Sequence, residues 1–395
     1  MPFWEWFCYL ETRENQIIFV SLHRFYCQYT AMKQRLNVGI VGLGYRGAST
    51  LQRYIAMDEV QIVALADKDD EALRKAQGMM KVSEQVDYAH FYPGSEGWKQ
   101  LCRQTDIDLV IVCTDWESHA EIALQAMECG CHVAIEVPMA TTIEDCRRLI
   151  RTSRQTGCYC TMLENCCYDT FHLGVMEMVR KGLLGELTHL EGAYIHDLRP
   201  NFESGQAWMA QQSSAHGGNP YPTHGIGPVC QLLNAAEREA DQLVSLVSMT
   251  APNSINNTLL RTRMGKTILL QFDIHTPRPY SRMQTVCGTK GFVQKYPLMT
   301  VQTDAHGLLT GKEAEAFVCG FWNENTQQII EKGQRLGVQN IMNYLMDCRL
   351  VGQLLKDDKP DITVEDAALW SSIAELTALS VSQGGQLVEI PYIME

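Results

Sequence analysis

The sequence predicts an α/β fold in which an N-terminal doubly wound parallel sheet is followed by a second domain, on three observations. Short, continuously apolar runs alternate with helical patterns from residue 36 to about residue 156, and strands covered by helices on both faces read as such runs. A glycine-rich turn joins the first of those runs to the first helical pattern. The chain has 395 residues, about twice the length of a typical single domain.

Residues 1–35 read as an extension outside the fold. Glu5, Glu11, Arg13 and Glu14 interrupt an aromatic-rich stretch, and Ile17 to Met32 contains His23 and Arg24. That pattern suits neither a signal peptide nor a membrane span, so a cytoplasmic location is expected. Leu36 to Val41 is the first strand, followed by Gly42-Leu43-Gly44-Tyr45-Arg46-Gly47 and the helical pattern from Ala48 to Tyr54. Strand, GxGxxG and helix in that order form the context in which the motif binds a dinucleotide. Gly42 permits the tight turn, Gly44 admits the pyrophosphate to the backbone, and Gly47 allows helix and strand to pack closely. The helix N-terminus then offers unpaired N–H groups to the phosphates.

Val60 to Ala66 is a second strand ending at Asp67. An acidic residue there accepts from the adenosine ribose hydroxyls and repels a 2′-phosphate, which favours NAD over NADP; the plainer reading of Asp67 is a cap at the strand end. Asp108 to Cys113 is another strand, after which Thr114-Asp115 caps a helix running through Trp116, His119 and Ala120 to Gly130. His132 to Glu136 follows as a strand closed by Val137-Pro138, and Thr141-Thr142-Ile143-Glu144 reads as a capping box for the next helix. In such a sheet the ligand crevice lies at the carboxyl ends of the strands, where Gly42 to Gly47, Asp67, Thr114 to His119 and Glu136 all fall. The NAD-binding domain is placed at 36–156 and a substrate-binding α/β domain at 157–395.

Composition narrows the partner. A formal charge of −13 repels nucleic acid and anionic membranes, which leaves a small molecule or a glycan as the expected ligand. Fifteen cysteines are scattered through apolar segments or adjoin one another, as in Cys166-Cys167, without paired CxxC knuckles. They read as reduced thiols, and no metal site is expected.

With these motifs the chain resembles the Gfo/Idh/MocA superfamily of nicotinamide-dependent sugar oxidoreductases, in which a Rossmann domain precedes a mainly β domain. The turn GLGYRG, the segment TDWESH and the strand-end EVP occupy the places that family uses. Most of its dehydrogenases carry Glu-Lys-Pro, with the lysine assisting hydride transfer, where this chain has Glu136-Val137-Pro138. Valine cannot donate a proton. Five further motifs resemble the branch known as glycoside hydrolase family 109, whose members also carry EVP: Leu163 to Tyr168 (LENCCY), Glu191 to His196 (EGAYIH), Tyr221 to Pro228 (YPTHGIGP), Arg278 to Arg282 (RPYSR) and Gly288 to Gly291 (GTKG). That branch is known for NAD-dependent α-N-acetylgalactosaminidases.

The resemblance covers about Lys33 to Pro297 and implies an α+β second domain with a large open, mostly antiparallel sheet. It implies that Gly42, Gly44, Tyr45, Arg46, Gly47, Asp67, Trp116, His119, Glu136, Val137, Asn165 and Tyr221 hold NAD. It also implies that Tyr194, Tyr221, Pro222, Thr223, His224 and Tyr280 line the sugar site, and that the sheet of the second domain mediates self-association. Three features depart from the family pattern: a shortened segment from Asp197 to Gly218, a shortened loop between Thr250 and Asn257, and Met209 after Trp208 where an arginine is expected.

No obvious carboxylate pair stands in the second domain, and NAD-dependent glycosidases are an exception to the two-carboxylate scheme. The alternative route oxidises the sugar transiently at C3, eliminates across C1–C2, adds water and reduces C3 again, so the net reaction is hydrolysis. Such a cycle needs proton-transferring groups, and His224 at a helix start is the leading candidate. Tyr194 and Tyr280 are placed to orient hydroxyls or relay protons, with His196 in reserve on the face of Tyr194. Two other readings stand beside this one: a sugar dehydrogenase that makes net NADH, and a redox-silent NAD-binding sensor or scaffold.

Overall fold

The computed structural model describes residues 34–394 apart from 84–85, 203–206, 235–240 and 253–254. The reading of the N-terminal extension therefore lies, but for its last two residues, outside the described residues. Gln34–Glu395 is one compact unit holding two sheets.

The first sheet contains β1 (Leu36–Val41), β2 (Val60–Asp67), β3 (His90–Pro93), β4 (Leu109–Val112), β5 (His132–Ile135) and β6 (Cys160–Met162), all parallel, in the order β3-β2-β1-β4-β5-β6. Strands β1, β4 and β5 are buried almost throughout, as their apolar runs require when helices cover both faces. The chain reverses direction of growth at β1, between β2 and β4, and this switch point is where an open α/β sheet binds its ligand. One boundary is corrected. Strand β6 lies beyond residue 156, yet it pairs with β5 (Val133 with Cys160, Ile135 with Met162) and completes the parallel sheet, because its three residues are fully buried and need a strand partner. A second correction concerns the helix Ile143–Thr156, whose cap is Thr142, one residue later than expected: its hydroxyl accepts from the Asp145 amide at 3.1 Å.

The second sheet has nine strands. Strands β7 (Leu187–Ile195), β8 (Leu243–Thr250), β9 (Asn256–Thr262), β10 (Thr267–Asp273), β11 (Thr285–Gly288), β12 (Gly291–Gln294), β13 (Thr300–Thr303), β14 (His306–Thr310) and β15 (Val388–Glu389) lie in the order β14-β13-β12-β11-β7-β10-β9-β8-β15. Only β7 and β10 run parallel. Strand β9 alternates strictly between buried and exposed positions, the signature of a sheet with one covered and one open face. Helix Thr223–Leu233 lies on the covered face. Gly192 of β7 and Gly225 of that helix face one another, and a Cβ on Gly192 would stand 2.7 Å from the Gly225 carbonyl carbon. The glycine pair therefore sets how closely the residue before Gly225, His224, approaches β7.

Helix Val364–Ser382 joins the two sheets. It begins with a full capping box between Thr363 and Asp366 and carries hydroxyls that serve loops of both halves. Ser371 accepts from the Met139 amide (3.1 Å), Thr377 from Asn219 (2.9 Å) and Ser380 from Ser248 (2.9 Å). Buried polar groups must be paired, and here the pairing pins the strand ends of one sheet to those of the other. Every cysteine among the described residues is a free thiol. No described helix is long and apolar enough to cross a membrane.

Candidate active site

The glycine turn sits at the switch point, and each glycine does a different job. Gly42 has φ +87°, and a Cβ there would stand 2.6 Å from the Cys113 carbonyl oxygen. A Cβ on Gly47 would overlap the Gly42 carbonyl oxygen, so the helix could not lie where it does. At Gly44 nothing lies within 4 Å of the added atom: the space before it is open. Helix Tyr45–Ile55 begins with no side-chain cap and no acidic residue in its first turn, which leaves its first amides free for an anion. These features fit a dinucleotide pyrophosphate.

Asp67 at the end of β2 braces the turn: one carboxylate oxygen accepts from the Leu43 amide and the other from Asp69 N at 2.7 Å. Asp67 is thus a cap at the strand end as well as the acidic residue at the ribose position. Next to Asp67, Lys68 pairs with Asp115 at 3.3 Å, with both side chains largely exposed.

Arg46 reaches across the crevice mouth to Glu136 at the end of β5, Nε to Oε1 at 3.1 Å and Nη2 to Oε2 at 3.2 Å. Burial works against the guanidinium charge, but Glu136 outweighs it and raises the pKa further above its usual range. Val137 is buried and begins the Val137-Pro138 cis bond. Tyr45 is 82% exposed at the crevice rim. His119 departs from the expectation that it lines the cofactor. It is fully buried, with Nδ1 2.8 Å from the Pro138 carbonyl and Nε2 3.1 Å from that of Thr114. Burial lowers its pKa, so the ring is neutral: it donates one N–H to one of these two carbonyls and only faces the other, packed between the ends of β4 and β5 beneath the surface a ligand can touch.

Against this crevice side the structure gathers a run of aromatic and titratable side chains. Trp116 stacks on Tyr221 (5.6 Å, 19°) and meets Trp208 edge-on (5.1 Å). Tyr221 OH lies 3.3 Å from His224 Nε2, and His224 Nδ1 lies 2.6 Å from Oε1 of Glu164. The Tyr194 ring packs against His224 (5.2 Å) and its hydroxyl bonds His196 Nδ1 at 3.1 Å. His196 meets Tyr280 edge-on at 5.2 Å. His224, Tyr194, Tyr280 and Tyr221 are therefore brought together, with His196 linking two of them. Pro222 and Thr223 are buried and hold the helix start, Pro222 as its cap residue. The side chain of Met209, at the expected arginine position, lies outside the described residues.

Burial alone would depress the His224 pKa, and a helix N-terminus disfavours a cation; Cys166 and Glu164 outweigh both and hold it up at about 10. Glu164 is fully buried, yet it is held below its usual range because the imidazolium beside it outweighs desolvation. At neutral pH the pair is an imidazolium facing a carboxylate. His196, by contrast, is pushed down by burial and is neutral. Burial also lifts the Tyr194 and Tyr221 hydroxyls well above their usual range, so both keep their protons.

Two groups were missed in the sequence reading. Glu164 stands inside the motif LENCCY, but its partner is sixty positions away. Asn343, on helix Ile341–Leu354, accepts from Asn165 Nδ2 at 2.7 Å, both residues being buried; one turn later Asp347 holds Arg53 at 2.5 Å. The polar pair at i and i+4 among the apolar residues that begin this helix was the available signal.

The parallel sheet, its switch point and the glycine turn define a nicotinamide-dinucleotide-binding protein of the oxidoreductase type. The family model for the oxidoreductase family with NAD-binding Rossmann fold matches residues 36–164, and that for the glycosyl hydrolase 109 C-terminal domain matches residues 168–254 and 252–394. The chain belongs to glycosyl hydrolase family 109, and it is an NAD-binding glycoside hydrolase. An alpha-N-acetylgalactosaminidase of Bacteroides fragilis is 43% identical over 390 residues, covering 90% of this chain and 91% of that one. A family 109 protein of Phocaeicola vulgatus is 41% identical, covering 90% and 94%. Levoglucosan dehydrogenase solved with NADH and levoglucosan has the same fold, with a TM-score of 0.72 at 18% identity over 91% of this chain and 100% of its own. The family match runs to residue 394, so the last hundred residues carry more of the resemblance than the motifs alone conveyed.

Proposed function

We propose that this chain hydrolyses an N-acetylhexosaminide, α-N-acetylgalactosaminides first among them, by a redox-neutral cycle. The observation that carries the proposal is the chain from the buried Glu164 through the half-buried His224 to Tyr221, with Tyr194 packed against it, beside a crevice whose strand end bears Val137 in place of a proton-donating lysine. The name of the Bacteroides fragilis relative points to the sugar. NAD held on the glycine turn supplies reversible oxidation at C3 of the sugar, which acidifies the C2 proton and opens the way to elimination at C1.

The residues of the chain handle the protons. His224 starts as an imidazolium and delivers a proton to a sugar oxygen, which leaves a neutral imidazole able to take one back. Glu164 stays ionised throughout and stabilises the charged form of the ring. The hydroxyls of Tyr194 and Tyr221 keep their protons and act as fixed donors to sugar oxygens. Trp116, Tyr221 and the half-exposed Trp208 form an aromatic wall, the kind of surface on which the apolar face of a sugar packs.

The test is a panel of aryl glycosides assayed with NAD present, half of it in deuterated water. Free sugar carrying deuterium at C2, with no accumulation of NADH, is the expected result; stoichiometric NADH with no aglycone release overturns the proposal in favour of a dehydrogenase. His224→Asn is expected to lower kcat by roughly 10²- to 10⁴-fold, the usual weight of a general acid–base group, while leaving NAD binding intact.

A further inference from the structure

We propose that Glu164, Cys166 and His224 form a site for a thiophilic divalent cation of the Zn²⁺ class, and that filling it reversibly shuts the enzyme. One donor atom from each of the three side chains lies within 4.8 Å of the other two. Nitrogen, sulfur and carboxylate oxygen are the ligand types zinc takes, and three protein ligands with an open fourth position is a known coordination pattern for it. The charges also balance: one thiolate and one carboxylate neutralise a dication, with the imidazole neutral.

Independent features prepare the site. Oε2 of Glu164 is buried with no close hydrogen-bond partner among the described residues; the Thr223 hydroxyl interacts with this carboxylate, and a bound cation would satisfy the oxygen more fully. Glu164 caps the turn Asn165–Tyr168, with Oε1 accepting from Cys166 N at 3.1 Å, so the carboxylate and the thiol leave one rigid turn two residues apart. His224 is fixed from the other side by the close glycine packing of its helix on β7. The thiol is held more loosely: Sγ makes a long bond to Asn165 Oδ1 at 3.5 Å and lies near enough to interact with the His224 ring.

Zinc bonds of about 2.0–2.3 Å place tetrahedral ligand atoms somewhat over 3 Å apart. The Glu164–His224 contact, 2.6 Å now, opens slightly, and the sulfur swings inward. Coordination releases the thiol proton and the proton held between Glu164 and His224. The imidazole lone pair is then committed to the cation and no longer exchanges a proton with substrate. The site departs from the expectation of no metal site, which rested on cysteine spacing within single segments. This one joins a turn and a helix start that are distant in sequence.

The binding half of the inference is independent of the proposed reaction; the inhibition half rests on it. The full chain, stripped with a chelator, is titrated with Co²⁺ and then Zn²⁺. A thiolate-to-cobalt charge-transfer band saturating at one equivalent is expected, bleached by Zn²⁺, absent in Cys166→Ser and Cys166→Ala, and unchanged in Cys129→Ser, which alters an exposed thiol. Hydrolysis by the wild type is expected to be inhibited by Zn²⁺ and restored by chelator, with each Cys166 variant at least tenfold less sensitive as a ratio to its own basal rate. No band, or a band that survives both Cys166 substitutions, overturns the site. A band with Zn²⁺-insensitive hydrolysis overturns the shut-off. If no glycoside is hydrolysed at all, the cobalt spectrum still decides the site, and the failure belongs to the proposed reaction.

Discussion

The glycine turn makes two substitutions that look alike in sequence behave in opposite ways. Gly44 has φ −61° and ψ −162°, backbone that alanine adopts freely, and its new methyl group would meet nothing within 4 Å. Removing a glycine from the unfolded chain is worth about 0.4–1 kcal/mol, and alanine is a poorer N-cap than glycine by a similar amount. The two effects offset, so Gly44→Ala is expected to leave the stability of the NAD-free protein within about 0.5 kcal/mol of wild type. The methyl group does fill the space the pyrophosphate needs. Overfilling a packed contact by one methyl costs about 1–3 kcal/mol, which weakens NAD binding roughly 5- to 150-fold. Gly47→Ala does the reverse. Its Cβ overlaps the Gly42 carbonyl and stands 2.8 Å from the carbonyl carbon and 3.3 Å from Cys113 Cβ. The Gly42 carbonyl is backbone held in place directly after β1, and a loss of at least about 3 kcal/mol is expected in the NAD-free protein. Urea unfolding without cofactor and fluorescence titration with NAD read the two quantities separately. The reasoning fails if Gly44→Ala binds NAD as tightly as wild type, or if it is destabilised as much as Gly47→Ala.

Three further outcomes follow from particular contacts. Asp169 is almost fully buried between Arg282 and Lys295, and despite burial those cations hold its pKa down at about 2 against an ordinary 3.8. Its contribution, about 2 kcal/mol, is present above pH 3.8 and lost as the pH falls through about 2; the stability gap between wild type and Asp169→Asn in urea melts should narrow by that amount from about pH 5 to about pH 2. Asn343→Leu strands the buried Asn165 amide, so a loss of about 1–3 kcal/mol with weaker NAD binding is expected; unchanged NAD affinity would detach Asn165 from the cofactor. Gly192→Ala forces the helix bearing His224 away from β7, and kcat should fall while the Kd for NAD holds, a split that steady-state kinetics and direct titration resolve.

How far such features can be read from sequence depends on whether their determinants are local. Strand β1, the turn and Asp67 lie within one βαβ unit, and apolar run, glycine spacing and acidic strand end are each legible there because no distant residue is needed to explain them. The large sheet was legible only through the resemblance, since its central pair, β7 and β10, are parallel neighbours separated by more than seventy residues. His119 shows the limit of a motif: TDWESH places it near the crevice, but the ring lies buried between the Pro138 and Thr114 carbonyls, one of which accepts its single N–H. His224 shows the same limit from the other side. Its motif marked a histidine at a helix start, where the dipole disfavours a cation; only the fold brings Glu164 to 2.6 Å and turns that histidine into a half-buried imidazolium. The chemistry of the site is thus not a property of the helix that carries His224. It depends on the turn following β6, which also carries Asn165 and brings Cys166 to His224, so a change in that one four-residue turn is expected to alter proton transfer and cation binding together.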